Sequence, residues 1–341
     1  MAYTDIDKPS DYFNTKLYTG TGASNSITGV GFQPDWTWIK NRSITANHHL
    51  FDVIRGATKY ILTNSSNAEA TDSQQLQSFD SDGFTVGTNG NVNGSGNNIV
   101  AWNWLASNTT ASNTVGDINS TVSVNITSGF SIVSWTGNGT AGATIGHSLG
   151  TTPSMIITKS RSAGGGWYTY HKSEGATKFF QLSTNDGSTS NSTIWNNTEP
   201  TSSVFSTGTA FDNGTTYIAY CFAEKKGFSK FGSYVGNGNA DGSYIHLGFK
   251  PAFVIIKPSS YANSWLILDN KRNTFNPTNT RLEADGSGAD YSGLDYADFL
   301  SNGFKIRTSN AHPNNSGGTL IYMAFAESPF TTSTGIPTTA R

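Results

Sequence analysis

Gly31-Phe32-Gln33-Pro34-Asp35-Trp36-Thr37-Trp38-Ile39-Lys40 sets out a pattern that this chain writes three times. A Pro leads five residues of strand-forming character, and a Lys closes them. The same order stands at Pro153-Ser154-Met155-Ile156-Ile157-Thr158-Lys159 and at Pro251-Ala252-Phe253-Val254-Ile255-Ile256-Lys257. Upstream lies an aromatic-x-Gly-x-Gly: Tyr18 to Gly22, Trp135 to Gly139 and Tyr234 to Gly238. Downstream come the closing stretches Ile99-Val100-Ala101-Trp102-Asn103-Trp104, Tyr217-Ile218-Ala219-Tyr220-Cys221-Phe222 and Leu320-Ile321-Tyr322-Met323-Ala324-Phe325. The Pro and the last aromatic are 70, 69 and 74 residues apart. Anchors recurring in order at near-constant spacing predict three copies of one unit.

Period then gives the fold class. Trp36 and Trp38 are two apart, as are Trp102 and Trp104, so in a strand each pair leaves the same face. Pro34, Pro153 and Pro251 fit the head of a strand, where a missing ladder donor does least harm. The Gly-x-Gly predicts a hairpin joining two short strands. Ser131 to Trp135 and Phe304 to Arg307 read as further strands. No segment keeps a helical apolar repeat over three turns; the nearest, His48 to Thr63, reads as a short helix or a strand pair. The expected architecture is all-β: three tandem β-sandwich domains, jelly-roll-like or immunoglobulin-like, related by internal repeat. The boundaries follow: an N-terminal arm at 1–11, repeats at 12–105, 128–225 and 227–330, a Ser/Thr/Asn-rich linker at 106–127, and a mobile polar tail at 331–341.

Composition narrows the function. The 341 residues include 44 Thr, 42 Ser, 33 Asn and 37 Gly, nearly half the chain, yet aromatics reach 12%, too many for a disordered segment. Charged residues are 13% and the net charge is −2, which leaves no electrostatic footprint for nucleic acid. No apolar run is long enough to insert in a membrane. The opening Met1 to Lys8 has neither a basic region nor an apolar one, so no secretory signal is expected. The single Cys221 excludes an internal disulfide and a thiolate-rich metal site.

Candidate sites are few. No catalytic constellation, cofactor motif or metal-ligand pattern emerges. Asp80-Ser81-Asp82-Gly83 resembles the start of a calcium loop but lacks its closing Glu, and reads as a turn with Asx hydrogen bonds. Lys40, Lys159 and Lys257 each end an apolar strand, and Arg42 and Arg161 follow two of them. They read as repeated structural contacts at a strand edge, or charges that blunt it, with an anion site as the alternative. Trp167, after Gly164-Gly165-Gly166, and Trp195, in an Asn/Ser/Thr-rich stretch, stand in loop-like contexts. They are the candidates for glycan or interface contacts.

One resemblance adds to this reading. Asp7 to Gly20, Gly31 to Arg42, Phe79-Asp80-Ser81-Asp82-Gly83-Phe84, Ala101-Trp102-Asn103-Trp104 and Ile321 to Glu327 are similar to segments of repeat-domain virion structural proteins of marine tailed bacteriophages. The resemblance implies a non-enzymatic tail or tail-fibre protein, assembled in the host cytoplasm into the virion. Its partners would be other virion proteins and copies of itself, with a trimer favoured over a pseudo-threefold monomer. A capsid-decoration protein and a host-glycan or receptor-binding module are the alternatives.

Overall fold

The computed structural model describes residues 3–338. After a 3₁₀ turn at Pro9–Asp11, the first strand set comprises β1 (Phe13–Thr19), β2 (Asn25–Thr28), β3 (Trp36–Asn41), β4 (His48–Asp52) and β5 (Lys59–Leu62). It continues through β6 (Ala70–Thr71), β7 (Leu76–Asp80), β8 (Gly83–Val86), the short α1 (Gly90–Asn93) and β9 (Asn98–Trp104). The second comprises β10 (Ala111–Asn113), β11 (Ser120–Asn125), β12 (Phe130–Thr136), β13 (Ala143–Gly146) and β14 (Met155–Ser160). It goes on with β15 (Trp167–His171), β16 (Lys178–Gln181), β17 (Thr189–Ser190), α2 (Ser192–Trp195), β18 (Val204–Thr207) and β19 (Thr216–Phe222). The third comprises β20 (Ser229–Val235), β21 (Tyr244–His246), β22 (Phe249–Pro258), β23 (Leu266–Asp269) and β24 (Thr278–Glu283). Its remainder is β25 (Tyr291–Leu300), β26 (Gly303–Ile306), α3 (Ala311–Asn314) and β27 (Thr319–Pro329).

One pairing order recurs. The main sheets contain β1-β9-β3-β4-β5, β12-β19-β14-β15-β16 and β20-β27-β22-β23-β24. In each, the opening strand lies beside the closing strand of the set. Smaller sheets, β2-β8-β7, β13-β18 and β25-β26-β21, cover the outer faces; in the third set, β24 pairs with β25 and joins the two layers. The 48–63 stretch is the strand pair β4–β5, not a helix.

The sandwiches have their own outer cores, around Ile39 and Phe84, Val133 and Ile156, and Val254 and Phe304. The opposite faces of the three main sheets meet in a fourth core common to all. Trp36, Trp38, Trp102 and Trp104 sit there with Tyr220, Phe222, Phe253 and Phe325. Both faces of each main sheet are therefore buried, which is why β3, β14 and most of β22 hold no solvent-exposed position. To the sandwiches expected in tandem, the structure adds a shared interior that fixes them to one another.

Three expected details differ. The Gly-x-Gly stretches do not close hairpins: β1 pairs with β9 and β2 with β8, so the turn carries the chain between layers. Gly is needed there for close approach, since a Cβ on Gly20 would lie 2.2 Å from the Gly94 carbonyl oxygen, and Gly22 adopts φ +71°. The 106–127 segment is not a linker but carries β10 and β11, which extend the second main sheet beyond β12. Thr121-Val122-Ser123-Val124 alternates hydroxyl and β-branched residues, and a strand accepts that composition readily.

The ends also fold back. Ile6 enters the shared core, and Thr4 Oγ1 donates to the Lys226 carbonyl at 2.8 Å. Asp7 accepts both the amide and the hydroxyl of Ser333 at 2.6 Å. The stretch expected to be a mobile tail is thus tied down through residue 338; residues 1–2 and 339–341 lie outside the described residues.

Candidate functional site

The three recurrent lysines lie in β3, β14 and β22 and are 0–1% exposed. Strand geometry aims each side chain inward, and the ammonium meets backbone carbonyls in place of water. Lys40 Nζ donates to Asn41 O at 2.7 Å and to Ser287 O, in the third set, at 3.3 Å. Lys159 Nζ donates to Ser160 O at 3.1 Å and to Ser66 O, in the first set, at 3.3 Å. Lys257 Nζ donates to Asn263 O and feels the charge of Asp186, in the second set. Lys40 and Lys159 therefore reach back to the preceding set, whereas the hydrogen bond of Lys257 stays within its own.

Backbone bonds close a ring through all three sets. The Glu69 amide donates to Arg161 O at 2.9 Å, Ser188 to Ser259 O at 2.9 Å and Asp290 to Arg42 O at 3.0 Å. The loops after β5, β16 and β24 are clipped to the ends of β14, β22 and β3 of the next set. Charge reinforces two of these seams. Arg161 pairs with Glu69 at 2.9 Å, and Glu69 also lies 3.7 Å from Arg55, which is bound to buried Asp52. Arg42 pairs with Asp290 at 2.7 Å, and Asp290 lies 3.1 Å from Arg272, bound to buried Asp269. In the remaining seam Ser259 stands where the others have Arg42 and Arg161. Lys40 and Lys159 are contacts between strand sets, and the charges that would have blunted an edge are instead enclosed.

Burial draws each lysine down to about 8. The unfolded chain then binds more protons than the folded one between about pH 8 and 10.5, so stability rises with pH there. Denaturant midpoints should climb from about pH 8 until near pH 10, where buried tyrosines held protonated begin to act in the opposite sense. The climb should be shallower in Lys159→Met. A flat or falling midpoint in the parent would contradict the burial of these amines.

Indole and imidazole groups occupy a second ring. Trp167 Nε1 donates to Leu62 O at 2.9 Å and Trp265 Nε1 to Gln181 O at 3.0 Å, each across a seam. His48 takes the same place in β4, where its Nδ1 accepts Trp38 Nε1 at 2.8 Å. The glycan expectation for Trp167 and Trp195 is corrected here: they are 0% and 2% exposed and offer no face to a sugar. Trp167 is an internal contact between sets. Trp195, in α2, packs against Tyr170 and Phe211 at ring distances of 6.2 and 6.1 Å. A Gly-rich or Asn-rich neighbourhood marks a loop, but an indole inside such a loop still turns inward when core is within reach.

Other signalled residues are also structural. Pro34 and Pro153 are buried just ahead of β3 and β14, and Pro251 sits inside β22 at a bulge. Asp82 accepts the Gly29 and Gly31 amides at 2.9 and 2.7 Å, so it ties a turn. Buried Asp35, at the position held by Ser154 and Ala252 in the other sets, accepts the Ala106 and Asn108 amides, and burial raises it to about 6. Among the described residues no three His, Cys, Asp or Glu come together as metal ligands. No helix there is long and apolar enough to cross a membrane.

The extent of the family decides what the unit is. A family profile described as a domain of unknown function, DUF7483, matches residues 8–329. The chain belongs to the DUF7483 family. Residues 8–329 include all three strand sets, so the DUF7483 domain is the ring-closed body and not one sandwich of it. No curated protein and no solved structure matches the chain. Among the described residues of the DUF7483 body the most exposed aromatic ring is Phe275, 85% accessible, beside an open cleft of about 740 Å³ with Asn273, Asn276 and Glu327.

Proposed function

We propose that this DUF7483 protein is a non-enzymatic structural component of a bacteriophage virion, sited in the tail or its fibres and acting through protein–protein assembly. The observation that carries the reading is the ring of seams around one core. Each set is held by the next through a backbone clip, and at two of the three seams a buried lysine adds a contact, which suits a rigid building block. Three copies of one ancestral unit, fused in one chain, account for the recurring strand order and for the sequence anchors. Such a body presents pseudo-threefold symmetry from a single chain and can cap a symmetric assembly without trimerising.

Two other readings stay open to the same experiment. A capsid-decoration protein would use the same body on the head. A host-glycan module would use exposed Phe275 and its Asn-lined cleft instead of the buried indoles. Antibody labelling of whole particles, with mass spectrometry of separated heads and tails, tests the proposal. Label confined to tails supports it. Label on heads alone replaces it with decoration, and absence from particles overturns it.

A further inference from the structure

The second strand set carries an addition that the third lacks. β11 lies along the outer edge of β12, pairing Thr121 with Ser134 and Ser123 with Ile132. The turn before β11 also reaches the smaller sheet: Ile118 bridges Ile145 in parallel, and the Thr144 carbonyl accepts the Asp117 and Ile118 amides at 3.0 Å. One extended segment thus seals the side of the sandwich by satisfying two sheet edges. In the third set the counterparts of β12 and β13 are β20 and β21, and both stand last in their sheet order.

The edge of β20 is presented for the same use. Gly236 N donates to Gly318 O at 2.9 Å in register with Val235↔Thr319, so alternate pairs bond β27. Phe231, Ser233 and Val235 therefore turn N–H and C=O outward. The Phe231 amide meets Glu224 Oε2 at 3.4 Å and the Val235 carbonyl accepts Ser243 Oγ at 2.8 Å. No described residue bonds the Ser233 pair. Ser233 is exposed, and Val235 and Tyr244 are 56% and 46% accessible beside it. In the first set the counterpart of Ser233 is Leu17, which is half-buried and packs against the shared core instead of standing exposed.

We propose that the side formed by Gly232–Val235 and Ser243–Tyr244 is a strand-addition site for an extended segment of a partner polypeptide. The segment it fits is uncharged along the pairing stretch and alternates hydroxyl with β-branched residues, as β11 does on β12. Main-chain bonds to Ser233 supply affinity, and the apolar pair Val235 and Tyr244 selects β-branched side chains. A second copy of β20 does not fit. Antiparallel pairing about Ser233 would set Val235 against Phe231, whose outward amide already faces the Glu224 carboxylate.

The test uses the full chain and a synthetic peptide of residues 117–125, Asp-Ile-Asn-Ser-Thr-Val-Ser-Val-Asn. The native copy of that sequence is held on β12 intramolecularly, so the added peptide meets β12 already paired. Residue-resolved hydrogen exchange should slow at Ser233 and Val235 by about tenfold or more at saturating peptide. The slowing at Val235 should vanish in Ser233→Pro, a change that leaves the bonds to β27 in place. It should also vanish when the peptide is N-methylated at the residue corresponding to Thr121, a control independent of the folding of any variant. Unchanged exchange at both amides would overturn the proposal. So would slowing confined to β12, or protection of β20 by self-association without peptide.

Discussion

Trp36→Ala lowers the stability of the entire chain by about 3–5 kcal/mol, and the loss reaches all three strand sets at once. The indole is 0% exposed, and its ring lies 4.4 Å from Trp104, 4.6 Å from Tyr220 and 5.7 Å from Phe130 and Phe222. One ring from its own set and three from the second thus share one cavity wall. Trp36 Nε1 has no hydrogen-bond partner among the described residues, so the loss is one of packing and aromatic contact. The surrounding strands are paired on both sides and collapse poorly into the gap. Urea unfolding followed by fluorescence and by far-ultraviolet dichroism should give coincident, down-shifted transitions. A variant that unfolds the first set alone, leaving the dichroism of the others intact, would contradict the shared core.

Arg55→Met should cost a comparable amount, about 3–5 kcal/mol, through a different term. Arg55 and Asp52 are both fully buried, and Asp52 also accepts the Tyr220 hydroxyl at 2.8 Å from the second set. Removing the guanidinium leaves the Asp52 carboxylate enclosed without its counter-charge, and strips the Leu50 carbonyl of a donor at 2.8 Å. The cost is chiefly that of the stranded charge. Asp52→Asn in the Arg55→Met background should therefore recover a large share of it, measured as the coupling in a double-mutant cycle. Strict additivity of the two changes would show that the pair is not the unit assigned here.

How far the residues announced this structure can be judged element by element. The Pro-to-Lys stretches are strands because β-branched and aromatic residues stand there without polar interruption, and the same feature shows that both faces are covered. Sequence alone named one of those faces. That Trp36 and Trp102 look into a core common to three sheets depends on contacts 66 residues apart and more, which spacing does not encode. The lysines were legible as a recurrence. Their burial was not, since a Lys ending a strand is ordinarily solvated. Only the missing Arg after Lys257, where Ser259 stands, hinted that the three seams differ.

The misreadings share a cause. Ser/Thr/Asn content made 106–127 resemble a linker and 331–341 a free tail, yet hydroxyl residues serve an edge strand or a docked turn equally well. The Gly-x-Gly suggested a hairpin because left-handed glycine is common there, whereas its use here is the passage of one backbone against another. Trp167 and Trp195 stand in loop-like stretches of sequence, yet their neighbours in space bury them.

Scanning calorimetry of the intact chain addresses the central claim most directly. Three sheets closed round one core should melt in a single transition whose calorimetric and van't Hoff enthalpies agree. Resolved transitions for separate sandwiches, or a calorimetric enthalpy about three times the van't Hoff value, would show that each sandwich stands by itself.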